Sequence, residues 1–215
     1  MEIRQYTWDA VDSNSWLITE GLHGLLIDAV INPDLYSEVR SLETLTVILT
    51  HSHFDHICGL NDIREFKPDT AVIATALCSE HIGNPYRNMS SAADAYLAFY
   101  RNGTSADKHI EPFVCAPADQ VIDDSYSFSW EKHPIDLKAF HGHTEDSLII
   151  QIDHNILFSG DTILSIPTVT RFPGGNTKHF QQEDLPVLRR MKDQRVYPGH
   201  GQPDLLSNML KQYNF

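Results

Sequence analysis

Residues 50–56 read Thr-His-Ser-His-Phe-Asp-His, directly after the apolar run Val47-Ile48-Leu49. Three imidazoles and one carboxylate packed this closely are costly to bury unless something binds them. Neutral imidazole is the commonest protein ligand for zinc or iron, and carboxylate oxygen completes such sites, so the cluster reads as a metal site. In an extended segment His51, His53 and Asp55 point to one side, and the chain must turn before His56 can join them. One short loop can therefore supply two adjacent ions.

Three further ligand candidates each follow a segment that reads as a strand. His143 comes after Ile135-Asp136-Leu137-Lys138-Ala139, Asp161 after Ile156-Leu157-Phe158-Ser159-Gly160, and His200 after Arg195-Val196-Tyr197-Pro198-Gly199. Loops leaving one edge of a sheet can converge on a single point, with the strands as rigid support. With these motifs, Gly142-His143-Thr144, Ser159-Gly160-Asp161-Thr162 and Pro198-Gly199-His200-Gly201, the chain resembles the metallo-β-lactamase superfamily. The resemblance covers nearly the whole chain and implies an α/β fold, the αββα sandwich of two packed mixed sheets with helices on the outer faces. It implies His51, His53 and His143 on a first metal, Asp55, His56 and His200 on a second, and Asp161 bridging them. Asn14 through Asp28 looks like the opening hairpin of that family, whose Asp is usually structural.

At 215 residues and 41% hydrophobic content the chain suffices for one substantial core, and the expectation is a single metallo-hydrolase domain over residues 1–215. No apolar stretch approaches the ~18 residues of a membrane helix, and Met1-Glu2-Ile3-Arg4-Gln5 lacks a secretory pattern, so a cytoplasmic enzyme is expected. Cys58, Cys78 and Cys115 form no paired spacing, which argues against a disulfide framework or a cysteine zinc knuckle. A net charge of −13 disfavours nucleic acid as a partner and leaves a small-molecule substrate.

Pattern and breaker signals predict strands near 3–7, 14–19, 24–28, 46–50, 71–74, 125–130, 135–140, 147–152, 156–160 and 195–197. Helices are predicted near 34–42, 59–66, 178–192 and 203–212, the first opened by Pro33, and Asp153-His154-Asn155 reads as a hairpin turn. Residues 75–112 are the least regular and form the expected substrate-facing insert. Within it, Ala92, Tyr96, Phe99 and Tyr100 fall at helical spacing after Ser90-Ser91, a plausible cap. His23, His81, His109, His133, His154 and His179 have no ligand spacing and read as ordinary surface or core residues.

The resemblance implies a hydrolase in which a hydroxide shared by two divalent metals attacks a carbonyl, with Asp55 and Asp161 in catalytic roles. Zinc is the expected metal, with iron or manganese as alternatives. The presence of Asp161 departs from zinc β-lactamases, and His53 departs from the flavodiiron branch, where Glu stands. Phe172-Pro173-Gly174-Gly175 and Val196 through Gly201 resemble glyoxalase II-like hydrolases, so thioester hydrolysis is the first choice. The short segment after His200 argues against the helical domain that holds glutathione in the long enzymes. Arg171, His141 and Tyr96 are the substrate-contact candidates, and Cys58 reads as a small buried residue of the ligand loop. The alternatives are a lactonase or other ester hydrolase, a mononuclear-iron persulfide dioxygenase, and a binding protein of the same fold without turnover.

Overall fold

A computed structural model describes residues 1–100 and 109–213. The chain forms two compact units, Met1–Ala74 with Cys78–Gln120, and Thr75–Leu77 with Val121–Phe215. It builds two mixed six-stranded sheets. Among the described residues no helix is long and apolar enough to cross a membrane.

The first sheet contains β1 (Glu2–Trp8), β2 (Ser13–Glu20), β3 (His23–Ile27), β4 (Thr44–Ile48), β5 (Ala71–Thr75) and β6 (Gln120–Ile122), in that spatial order. β1, β2 and β3 pair antiparallel; β3, β4 and β5 run parallel. Leu17, Ile18, Leu25, Leu26, Ile27, Val47 and Ile48 are buried although they alternate between faces, which is why β3 and β4 read as continuous apolar runs. α1 (Pro33–Ser41) starts where predicted, with Pro33 in its first turn and the Asn32 side chain accepting from the amides of Asp34 and Leu35. It buries Leu35 and Val39, each worth roughly 1.5–3 kcal/mol. α2 (Phe54–Ile57) lies within the ligand loop, and α3 (Leu60–Phe66) follows Gly59. Gly59 is required by space: a Cβ there would lie 2.5 Å from the Val30 carbonyl oxygen.

The insert region holds α4 (Ala76–His81), a 3-10 turn at Ser90–Ala92 and α5 (Ala93–Tyr100). Residues 101–108 of the expected insert, and the side chains of Phe99 and Tyr100, lie outside the described residues. Among the described side chains of α5, Ala93 and Leu97 are fully buried, while Tyr96 is only half-buried. Ser90 does not cap the helix as expected; its hydroxyl bonds both the amide and the carbonyl of Phe113.

The second sheet has the order β12-β11-β10-β9-β8-β7, from β7 (Ser125–Trp130), β8 (His133–Ala139), β9 (Leu148–Ile152), β10 (Ile156–Gly160), β11 (Arg195–Pro198) and β12 (Asp204–Leu205). β9 and β10 form the expected hairpin, with Asp153 and His154 both at positive φ, as a tight primed turn requires. Its core gathers Phe140, Ile149, Leu157, Ile163, Phe180, Leu185, Leu188, Val196, Leu206 and Met209. The helix predicted over 178–192 is three pieces: α6 (Thr177–His179), a π-helical turn at Phe180–Asp184, and α7 (Leu185–Arg190). The one predicted over 203–212 begins instead with β12, because Asp204 and Leu205 pair with Val196 and Arg195; α8 (Leu206–Leu210) follows.

Candidate metal centre

Strand direction explains how each unit gathers its donors. In the first unit β3 and β4 run parallel, so Asp28, just past β3, and the His51–His56 loop, just past β4, leave the same sheet edge. In the second, β8 and β10 share one direction because both pair antiparallel with β9, and β11 runs parallel to β10. His143, Asp161 and His200 follow the C-terminal ends of those three strands. A bond from the Gly199 amide to the Gly160 carbonyl, 2.8 Å, ties the last two loops together.

Within the first unit, His51, His53, Asp55 and His56 are all buried. The His51 ring lies 4.6 Å from that of His53 and 4.3 Å from that of His56, centroid to centroid. His56 Nε2 stands 3.6 Å from Asp55 Oδ2. Within the second unit, Asp161 Oδ2 is 3.7 Å from His143 Nε2 and 3.4 Å from His200 Nε2. These separations exceed a normal hydrogen bond, yet they match donors around a shared ion, since tetrahedral bonds of 2.0–2.1 Å place ligand atoms about 3.4 Å apart. All seven residues belong to His and Asp groups that could hold a metal ion.

The far side of several rings is fixed by hydrogen bonds, which sets their tautomers. Asp28 is buried, and its carboxylate accepts from the Thr50 amide at 2.7 Å, the Thr50 hydroxyl at 2.8 Å and His56 Nδ1 at 2.8 Å. The Thr50 hydroxyl spends its proton on Asp28, so it accepts from His51 Nδ1, 3.0 Å away. His143 Nδ1 donates to the Val169 carbonyl at 2.7 Å. With the proton on Nδ1, each of these rings presents the Nε2 lone pair, the form a metal-ligating histidine takes. The donor set therefore suits a borderline divalent cation.

In the sequence Asp28 was legible as the close of the opening hairpin, the Asp that the resemblance makes structural, with no sign of its partners. It sits at φ 58°, a region Asp tolerates better than most residues, which turns the chain out of β3 and aims the carboxylate at the ligand loop. Burial pushes its carboxyl up, while His56 and Thr50 oppose that shift. Among the substrate candidates, Tyr96 lies 6.5 Å from the Phe54 ring, His141 is half-buried with Nδ1 donating to the Glu145 carbonyl at 2.6 Å, and Arg171 is exposed. Cys58 is no ligand in waiting: its sulfur accepts from the Ile31 amide, and burial pushes its thiol up, keeping it protonated.

Three relatives and a solved structure resemble the chain over most of its length. A beta-lactamase-like protein 2 homolog of Caenorhabditis elegans is 24% identical over 88% of this chain and 56% of its own length. An acyl-coenzyme A thioesterase MBLAC2 of Gallus gallus is 23% identical over 87% of this chain and 72% of its own. A hydroxyacylglutathione hydrolase of Prochlorococcus marinus is 22% identical over 88% and 64%. The chain thus spans less than two thirds of the length of the first and last of these. The crystal structure of the BLEG-1 B3 metallo-beta-lactamase superposes with a TM-score of 0.78 at 19% identity, covering 98% of this chain and 97% of that one, a likeness of fold. The sequence matches the superfamily pattern over residues 8–200, a span that contains all seven candidate ligands, and two mixed sheets with helices are consistent with its αββα sandwich. The chain belongs to the metallo-beta-lactamase superfamily.

Proposed function

We propose that residues 1–215 act as one metallo-hydrolase domain that cleaves small thioesters at a dinuclear centre. In this reading His51, His53 and His143 hold one ion, Asp55, His56 and His200 the other, and Asp161 bridges. The observation that carries it is the carboxylate of Asp161 lying 3.4–3.7 Å from two imidazole Nε2 atoms, in a chain whose other four donors are buried on one loop. Zinc fits this donor set, as do iron and manganese. Two such ions supply a water acidic enough to act near neutral pH and an electrophilic contact for a carbonyl oxygen.

The protein's own part is positioning. Asp28 and Thr50 hold His56 and His51, the Val169 carbonyl holds His143, and the carboxylates of Asp55 and Asp161 offset part of the cationic charge. Tyr96, His141 and Arg171 are the proposed substrate contacts, with residues 75–112 as the substrate-facing insert. The thioester is favoured over a lactone because two relatives are named for thioester cleavage. Metal analysis with a panel of thioesters and lactones tests this. We expect two metals per chain, thioester turnover, and its loss in Asp161→Ala; full turnover by a metal-checked Asp161→Ala protein rejects it.

A further inference from the structure

The helix after the Pro173-Gly174-Gly175 loop grips the backbone that leads into His143. Asn176 donates its amide to the Gly142 carbonyl at 2.9 Å, and its side chain caps α6 by accepting from the His179 amide at 2.9 Å. One turn on, the chain widens into the π-helical turn Phe180–Asp184, a rare geometry that often marks functional positions. That turn ends on Asp184, a buried residue with only 4% of its surface exposed. The carboxylate Oδ1 lies 3.2 Å from His179 Nε2. Its other oxygen lies against Gly142 so closely that a Cβ there would come within 2.4 Å of Oδ2 and 2.6 Å of Phe180 Cβ. Oδ2 makes no hydrogen bond of normal geometry, and the dipoles of the nearby Gly142 and His141 amides favour the charged form.

A buried carboxylate is expensive. Burial indeed pushes the Asp184 carboxyl up, opposed by His179, the two amides and His141. An apolar side chain would fill the same volume at lower cost, so its presence calls for work that only a charged acceptor does.

We propose that Asp184, held by His179, is a positioning residue for His143, clamping the His141-Gly142 backbone so that the His143 imidazole keeps its orientation. The inference rests on the reading of His143 as a metal ligand. Partners one step removed from a ligand typically tune metal affinity by about 10–100-fold.

The test is zinc affinity by chelator competition, read beside the melting temperature of the metal-free protein. Asp184→Asn should lose about 10–100-fold in affinity with no fall in the metal-free Tm, because it removes a charge that burial disfavours. His179 is half-exposed, so folding is not at stake there. His179→Ala should weaken zinc several-fold, and His179→Gln, which keeps an N–H donor, should restore it. Wild-type affinity in both Asp184→Asn and His179→Ala, with His143→Ala weakened, overturns the positioning role alone. Unchanged zinc binding in His143→Ala overturns the ligand assignment and the inference with it.

Discussion

Replacing Asp28 by Asn separates orientation of a ligand from folding. Asn tolerates the φ of 58° at this position, so the backbone turn is kept. The Thr50 amide can only donate, at 2.7 Å to Oδ1, so the Asn oxygen must take that place and its NH2 must face the Thr50 hydroxyl and His56 Nδ1. The hydroxyl can turn to accept. The imidazole can accept only by moving its proton from Nδ1 to Nε2, where a ligating lone pair is needed. The lost bond to a charged acceptor costs about 1.5–3 kcal/mol. Removing a carboxylate that burial disfavours offsets part of it, leaving a net stability loss under about 2 kcal/mol in the metal-free protein. Metal affinity should fall about 10–100-fold, equivalent to roughly 1.4–2.8 kcal/mol. Asp28→Ala differs: three buried donors lose their acceptor together, and folding itself should weaken by roughly 3–5 kcal/mol. Denaturant unfolding of the metal-free proteins and zinc competition read the two quantities separately. An Asp28→Asn protein with wild-type zinc affinity would refute the tautomer argument.

Two further outcomes are open to measurement. Gly59→Ala drives a methyl to 2.5 Å from the Val30 carbonyl oxygen and 2.8 Å from the Tyr36 hydroxyl, and should cost about 1–3 kcal/mol in urea unfolding; no change would mean that the Val30 backbone yields freely. Tyr6 donates to Glu38, and burial together with that carboxylate pushes its phenol up to about 12. The folded state thus holds this proton more tightly than the unfolded chain, whose tyrosine titrates near 10, so the contribution is complete below pH 10 and lost as the pH rises toward 12. Tyr6→Phe should flatten the alkaline limb of the stability profile, and an unchanged limb would assign it to other groups.

Much of the fold was legible because its signals are local. The apolar runs of β3 and β4, the Pro33 helix start, the Gly59 boundary and the Asp153-His154 turn each follow from side chains within a few positions of one another. Errors fell where a distant partner decides. Asp204 and Leu205 look helical until β11 is there to pair with them, and Ser90 looks like a cap until Phe113 takes its hydroxyl. The π-helical turn left only a faint sign, the five-residue step from Phe180 to Leu185 across Gln181 through Asp184.

The candidate site divides in the same way. Sequence alone determined which side chains could serve as donors, because His and Asp at strand ends are chemical facts that need no coordinates. Only the tertiary structure decided what stands behind them: Asp28 and Thr50 for the first loop, the Val169 carbonyl for His143, and Asp184 with His179 beneath Gly142. A ring's second nitrogen finds its partner through folded distances of about 3 Å between residues far apart in the chain, and no periodicity or spacing encodes which residue that will be.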